Sequence, residues 1–118
     1  VYMKSFKMLM LAVLTSFSAS AQEKTDSFKV YGNCGMCKKR IEKAAVSNGV
    51  SQAVWNVDTK LMTVTFNPAK ITNEEIQKRI AAAGHDTEKF RADDKVYEKL
   101  PGCCLYERKP ATSPTPGN

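Results

Sequence analysis

Hydrophobic and polar positions along the chain follow two periods, and the switches between them mark out elements. Phe28-Lys29-Val30-Tyr31 alternates briefly and predicts a strand, which Gly32-Asn33 ends. From Met36 to Asn48 the apolar positions Cys37, Ile41, Ala44 and Ala45 recur at helical spacing, Lys38, Lys39, Glu42 and Lys43 fall mainly elsewhere, and Asn48-Gly49 is a helix stop. Val50 to Val57 returns to a period of two, with Ala53, Trp55 and Val57 on one side. Asp58-Thr59-Lys60 turns the chain into Leu61 to Phe66, where Met62, Val64 and Phe66 share a side. Together these runs predict a β-hairpin with one buried face. Asn67-Pro68 ends it, because proline has no N–H for the ladder. Thr72-Asn73-Glu74-Glu75 has the spacing of a capping box ahead of Ile76, Ile80 and Ala83, a second amphipathic helix that Gly84 closes, and Asp86 to Phe90 predicts a last, weak strand.

The order strand, helix, strand, strand, helix, strand gives each helix one apolar stripe and gives the sheet one face to bury both. That is an α+β, two-layer βαββαβ sandwich of ferredoxin-like topology with a four-stranded antiparallel sheet, spanning residues 22–90, with Gln22 to Ser27 as a polar lead-in. From Arg91 the pattern changes. Residues 91–109 form a cysteine-containing extension in which Ala92 to Leu100 predicts a short helix, and residues 110–118, with three prolines, read as a disordered tail.

The N-terminus changes the picture of where the chain works. Met3-Lys4-Ser5-Phe6-Lys7, the apolar run from Met8 to Phe17 and the small residues Ala19-Ser20-Ala21 have the layout of a secretory signal at residues 1–21, with cleavage expected after Ala21. The apolar run is about half of the ~20 residues that span a bilayer, so no stable membrane insertion is expected after cleavage. The expected address is periplasmic or otherwise exported. Removal of Lys4 and Lys7 lowers the formal charge from +6 to +4, and a mildly basic exported chain without an arginine-rich run gives no footprint for nucleic acid.

All four cysteines lie beyond the signal, in two tight pairs, Cys34/Cys37 and Cys103/Cys104. A C-x-x-C with its first cysteine in a loop and its second opening a helix brings two sulfurs together. For metal–sulfur bonds of ~2.3 Å, thiolates on opposite sides of one ion stand just under ~5 Å apart, which this loop can supply. Unpaired N–H groups at the helix start stabilise negative sulfur, Cys37 in particular, and Lys38, Lys39, Arg40 and Lys43 add positive charge nearby. Two thiolates favour ions content with two ligands, Cu(I) foremost, then Ag(I) or Hg(II), whereas Zn(II) needs more. His85, directly after the glycine that stops the second helix, falls at the same end of the sandwich, either as a ligand or a hydrogen-bond donor behind the ligands, or as an exposed loop histidine.

The sequence Gly32-Asn33-Cys34-Gly35-Met36-Cys37, followed by Ile41-Glu42, Ala44 and Gly49-Val50, resembles the heavy-metal-associated domain over about Phe28 to Phe90. That family includes copper chaperones, the metal-binding repeats of copper-transporting ATPases and the periplasmic mercury-binding protein. The resemblance implies that Cys34 and Cys37 are metal ligands and that His85 occupies the loop position that tunes the site. Family members usually have methionine two residues before the first cysteine, anchoring the loop in the core. Here that residue is Gly32 and the methionine is Met36, which implies a looser loop.

The resemblance ends before Cys103 and Cys104. Neighbouring cysteines rarely bond to one another, so they are left as partners of Cys34 and Cys37 in disulfides, as links to a second copy of the chain, including a metal-bridged homodimer, or as further thiolates for metal. A rival from another class is a thiol–disulfide oxidoreductase using the same C-x-x-C. Against it, a single strand precedes Cys34 and Pro68 merely ends a hairpin, where thioredoxin-like folds need a full strand–helix–strand unit and a facing proline. No catalytic constellation is visible, so no enzyme is expected. The expected role is capture of a soft ion and its transfer by ligand exchange to a metal transporter or efflux component, whose acidic docking face would meet Lys38, Lys39 and Lys43.

Overall fold

A computed structural model describes residues 22–108. The expected signal at 1–21 and tail at 110–118 lie outside the described residues. Strands β1 (Lys24–Lys29), β2 (Val50–Trp55) and β3 (Leu61–Phe66) form one antiparallel sheet in the order β1-β3-β2. Helices α1 (Gly35–Ala45) and α2 (Asn73–Ala82) share the core with one face of that sheet. A short helix α3 (Asp94–Glu98) and a single 3-10 turn (Gly102–Cys104) follow. No helix among the described residues is long and apolar enough to cross a membrane.

The period-two reading of the hairpin holds. Met62, Val64 and Phe66 of β3 and Trp55 of β2 are buried, with Ala53 and Val57 half-buried beside them. The turn between the strands is built by Asn56, whose Oδ1 accepts from the N–H groups of Asp58 at 2.8 Å and Thr59 at 2.9 Å. On α1 the buried stripe is Cys37, Ile41 and Ala45. On α2 it is Ile76, Gln77, Ile80 and Ala81, while Ala83 ends up half-buried. The N–H of Glu75 donates to Thr72 Oγ1 at 3.1 Å, which is the expected cap of α2.

Two strand assignments need correction. The first strand runs from Lys24 to Lys29 rather than from Phe28 to Tyr31, taking in most of the expected lead-in. It is an edge strand held to β3 by backbone bonds, and its outer face is polar. Thr25 pairs with Thr65 and Ser27 with Thr63 through hydroxyls 3.0 and 3.2 Å apart, so Phe28 alone carries the apolar signal. Asp86 to Phe90 forms no strand, and the sheet has three strands instead of four. Thr87 makes one antiparallel bridge with Val30, then the chain folds back as the Thr87 N–H donates to Phe90 O at 2.7 Å and the Phe90 N–H donates to Thr87 Oγ1 at 3.0 Å. Those groups are then unavailable to a ladder.

Residues 91–108 fold back onto the sandwich, and Gly84 shows how closely. Its φ is +110°, and a Cβ there would stand 2.9 Å from Leu100 Cδ2. Gly84→Ala is therefore expected to destabilise the protein by about 2 kcal/mol, from backbone strain plus displacement of Leu100. Urea unfolding of the two proteins measures it, and an unchanged midpoint would contradict this packing.

Candidate metal centre

The loop that carries Cys34 is fixed by its main chain. Trp55 Nε1 donates to Val30 O at 3.0 Å, and the Tyr31 N–H donates to Asp86 O at 2.9 Å. His85 Nδ1 lies 2.9 Å from Tyr31 O, and because a carbonyl only accepts, Nδ1 carries the proton. At Gly32 a Cβ would meet Ile41 Cδ1 and Trp55 Cη2 at 3.1 Å and Cys37 Cβ at 3.2 Å. The Trp55 indole thus fills the space that a core side chain before the first cysteine would take. Glycine marks a close-packed point in the loop, where the resemblance implied a looser one. Met36 is instead 50% exposed, with Sδ 3.6 Å from Cys103 Sγ.

Cys34 is the N-cap residue of α1, with extended backbone, and Cys37 is buried in the helix's first turn. Their sulfurs are 3.9 Å apart. The Cys34 thiol is pulled down to about 7 from its usual 9.0, chiefly by the backbone N–H groups of Cys37 and Met36. Sequence reasoning assigned the field of the helix start mainly to Cys37. The structure directs it to Cys34, because the cap side chain lies against the unpaired N–H groups.

A third sulfur joins them. The Sγ atoms of Cys34, Cys37 and Cys104 all lie within 4.8 Å of one another. Cys104 is fully buried, and burial, with Cys37 close by, pushes its thiol up. Cys103, its exposed neighbour, contributes its carbonyl, 3.5 Å from Cys34 Sγ and 4.0 Å from Cys37 Sγ. No disulfide links the four cysteines. The expected second pair therefore divides, one sulfur meeting the first pair and the other facing Met36.

His85 is not among the converging sulfurs. It is fully buried rather than an exposed loop residue, and burial pushes its imidazole below the usual range. Its ring stacks on Tyr106 with centroids 5.4 Å apart, and Nε2 is buried without a hydrogen-bond partner among the described residues. The role the geometry gives it is to hold the Tyr31 carbonyl and so the cysteine loop. The basic cluster also divides. Lys38 Nζ donates to Glu42 Oε2 and to Trp55 O, both at 2.7 Å, Arg40 reaches Ala83 O at 3.4 Å, and Lys39 and Lys43 stay exposed.

Tyr106 and Arg108 drew no attention in the sequence. The Tyr106 hydroxyl accepts from the Asp86 N–H at 2.7 Å and donates to Gly84 O at 2.8 Å. Arg108 grips the buried Asp86 carboxylate through Nε at 3.1 Å and Nη2 at 2.9 Å, and it also donates to Ala92 O. Cys-Cys-Leu-Tyr has no periodicity, and the single available signal was aromatic and cationic residues spaced closely after a cysteine pair.

Thiols converging where a loop enters the first helix of an α+β sandwich define a class of small domains that bind soft metal ions. Residues 28–86 match the family model of the heavy-metal-associated domain, and the chain belongs to that family. It is 38% identical over 85 residues to the mercuric transport protein periplasmic component of Shewanella putrefaciens, across 70% of this chain and 93% of that protein. It is similar as well to the copper chaperone CopZ of Staphylococcus epidermidis, at 38% identity over 60 residues, 49% of this chain and 88% of the relative. Oxidised MerP from Ralstonia metallidurans CH34 superposes with a TM-score of 0.53 at 29% identity, covering 57% of this chain and 96% of that one. The fold is thus the ferredoxin-like α+β type, and the domain is a heavy-metal-binding one with a cysteine cluster that includes Cys34 and Cys37.

The lowered Cys34 thiol makes a kinetic prediction. Thiolate, not thiol, is alkylated, so the rate of iodoacetamide labelling at Cys34 should rise through a midpoint near pH 7 and level off above it. Peptide mapping of the labelled cysteine reads this directly, and a midpoint near the ordinary 9.0 would refute it.

Proposed function

We propose that this is an exported metallochaperone or scavenger that holds Cu(I), Hg(II) or a similar soft ion through Cys34 and Cys37 and passes it on by ligand exchange. The observation that carries the reading is the pair of sulfurs 3.9 Å apart at the start of α1, one of them partly exposed and stabilised as thiolate by backbone N–H groups. An exposed, ionised sulfur is the one that an incoming thiol-bound ion meets, and the buried partner completes the pair. Transfer to a partner is the same exchange in reverse, with the proton or ion moving between matched thiolates.

Export is supported by the layout of residues 1–21, and by likeness to a relative named as a periplasmic transport component. A transporter or efflux component is the proposed recipient. Lys39 and Lys43 are the side chains free to meet an acidic face on it, since Lys38 is held by Glu42 and the Trp55 carbonyl. The oxidoreductase reading is weaker, because the C-x-x-C stands after a single strand in a metal-binding family domain.

Reduced protein should bind one equivalent of Hg(II) or Cu(I), and Cys34→Ser with Cys37→Ser should lower retention against a competing thiol by roughly 100-fold or more. Equilibrium competition monitored by metal analysis decides it. Equal retention by the double variant would end this proposal.

A further inference from the structure

We propose that Cys104 is a third thiolate ligand, making the centre a three-sulfur site for soft divalent ions that need more than two ligands. The inference rests on the proposed metal-binding role of Cys34 and Cys37 and adds a ligand from outside the region that matches the family, which ends at residue 86.

The spacing of the sulfurs is the first argument. With bonds of ~2.3 Å, two thiolates on opposite sides of an ion stand ~4.6 Å apart, whereas three arranged around it in a plane stand ~4.0 Å apart. Cys34 and Cys37 are 3.9 Å apart, and Cys104 Sγ falls within 4.8 Å of both. The pair is therefore drawn closer than a linear site requires, and the third sulfur lies near enough to both to reach the same ion.

The second argument is that Cys104 is held in place from both sides. Ahead of it, Leu100 packs against Gly84, where even a methyl group would clash, and the Cys104 N–H donates to Pro101 O at 2.8 Å. Behind it, the Tyr106 hydroxyl bridges Asp86 and Gly84, the Tyr97 hydroxyl donates to Tyr106 O at 2.6 Å, and Arg108 closes on Asp86. A buried cysteine elsewhere is commonly a small apolar filler. Here the same anchoring that buries Cys104 aims its sulfur at two others.

The third argument concerns charge and coordination number. Three thiolates around a divalent ion leave one unit of negative charge, and around a monovalent ion they leave two, in a place where water does not reach Cys104. Two thiolates satisfy Hg(II) or Cu(I) but leave a larger-shell ion such as Cd(II) or Zn(II) underligated. Cys104 widens the range of ions toward that second group.

Cd(II) is the discriminating probe, used on the full reduced chain. X-ray absorption should count three sulfurs around the bound Cd(II), a measurement that needs no variant. Cys104→Ala should lower Cd(II) retention against a chelator by roughly 30-fold and Hg(II) retention by a smaller factor, while Cys103→Ser leaves both as they were. A shell of two sulfurs or of four, undiminished Cd(II) retention in Cys104→Ala, or a loss with Cys103→Ser would overturn the assignment. So would a disulfide from Cys104 to Cys34 or Cys37 in freshly isolated protein. Hg(II) held equally without Cys34 and Cys37 would instead sink the two-thiolate role on which this inference rests, which keeps the two failures distinct.

Discussion

Asp86 is the residue on which the geometry of the centre turns. Its backbone carbonyl accepts from Tyr31 and so fixes the loop that leads to Cys34, while its fully buried carboxylate accepts from the Ala92 N–H at 2.7 Å and from Arg108. One residue therefore joins the two chain segments that bring sulfur to the site. A buried ion pair adds little net stability over an apolar contact of the same shape, because both charges lose water. Its consequence is specificity. An Asp86 left without Arg108 would cost about 3–5 kcal/mol, so the register in which residues 100–108 lie against the sandwich has few competitors.

Around that anchor the thiols are differentiated. Cys34 is partly exposed and near half-ionised at neutral pH, Cys37 is buried in the first turn of α1, and Cys104 is buried with its proton held more tightly. In the proposed capture, an incoming ion would meet these sulfurs in order of exposure. His85 serves this arrangement at one remove: neutral through burial, it can donate from Nδ1 to Tyr31 while its ring supports Tyr106. The same imidazole braces the loop and the extension.

Much of this was legible in the chain and some was not, for identifiable reasons. The hairpin and both helices were readable because Met62, Val64 and Phe66, then Cys37 and Ile41, then Ile76 and Ile80 bury one side of a regular element. The C-x-x-C was readable because three residues of helical geometry fix the separation of its ends. The edge strand was hidden because backbone ladders need no apolar side chains, and Thr25 and Ser27 satisfy themselves with Thr65 and Thr63. The missing fourth strand was hidden because Thr87 and Phe90 spend their hydrogen bonds on each other. Trp55 standing in for a core side chain before Cys34 required knowledge of which strand faces the loop. The choice of Cys104 over Cys103 depended on anchors at Gly84, Asp86 and Arg108, separated from it in sequence or unpatterned.

The division of the basic residues bears on how the centre would carry its charge. A thiolate–metal centre is anionic, and the run Lys38-Lys39-Arg40 looks like its natural counterweight. Yet Lys38 is committed to Glu42 and the Trp55 carbonyl, and Arg40 to the end of α2 through Ala83 O. What faces Cys34 is the N–H groups of Met36 and Cys37, dipoles fixed by the helix. Fixed dipoles at contact distance are barely screened by salt, whereas exposed charges such as Lys39 and Lys43 lose their reach within a Debye length of ~8 Å at physiological ionic strength. In the proposed role, the hold on metal and the attraction of a partner would therefore be carried by different groups, and ionic strength would act on the second far more than on the first.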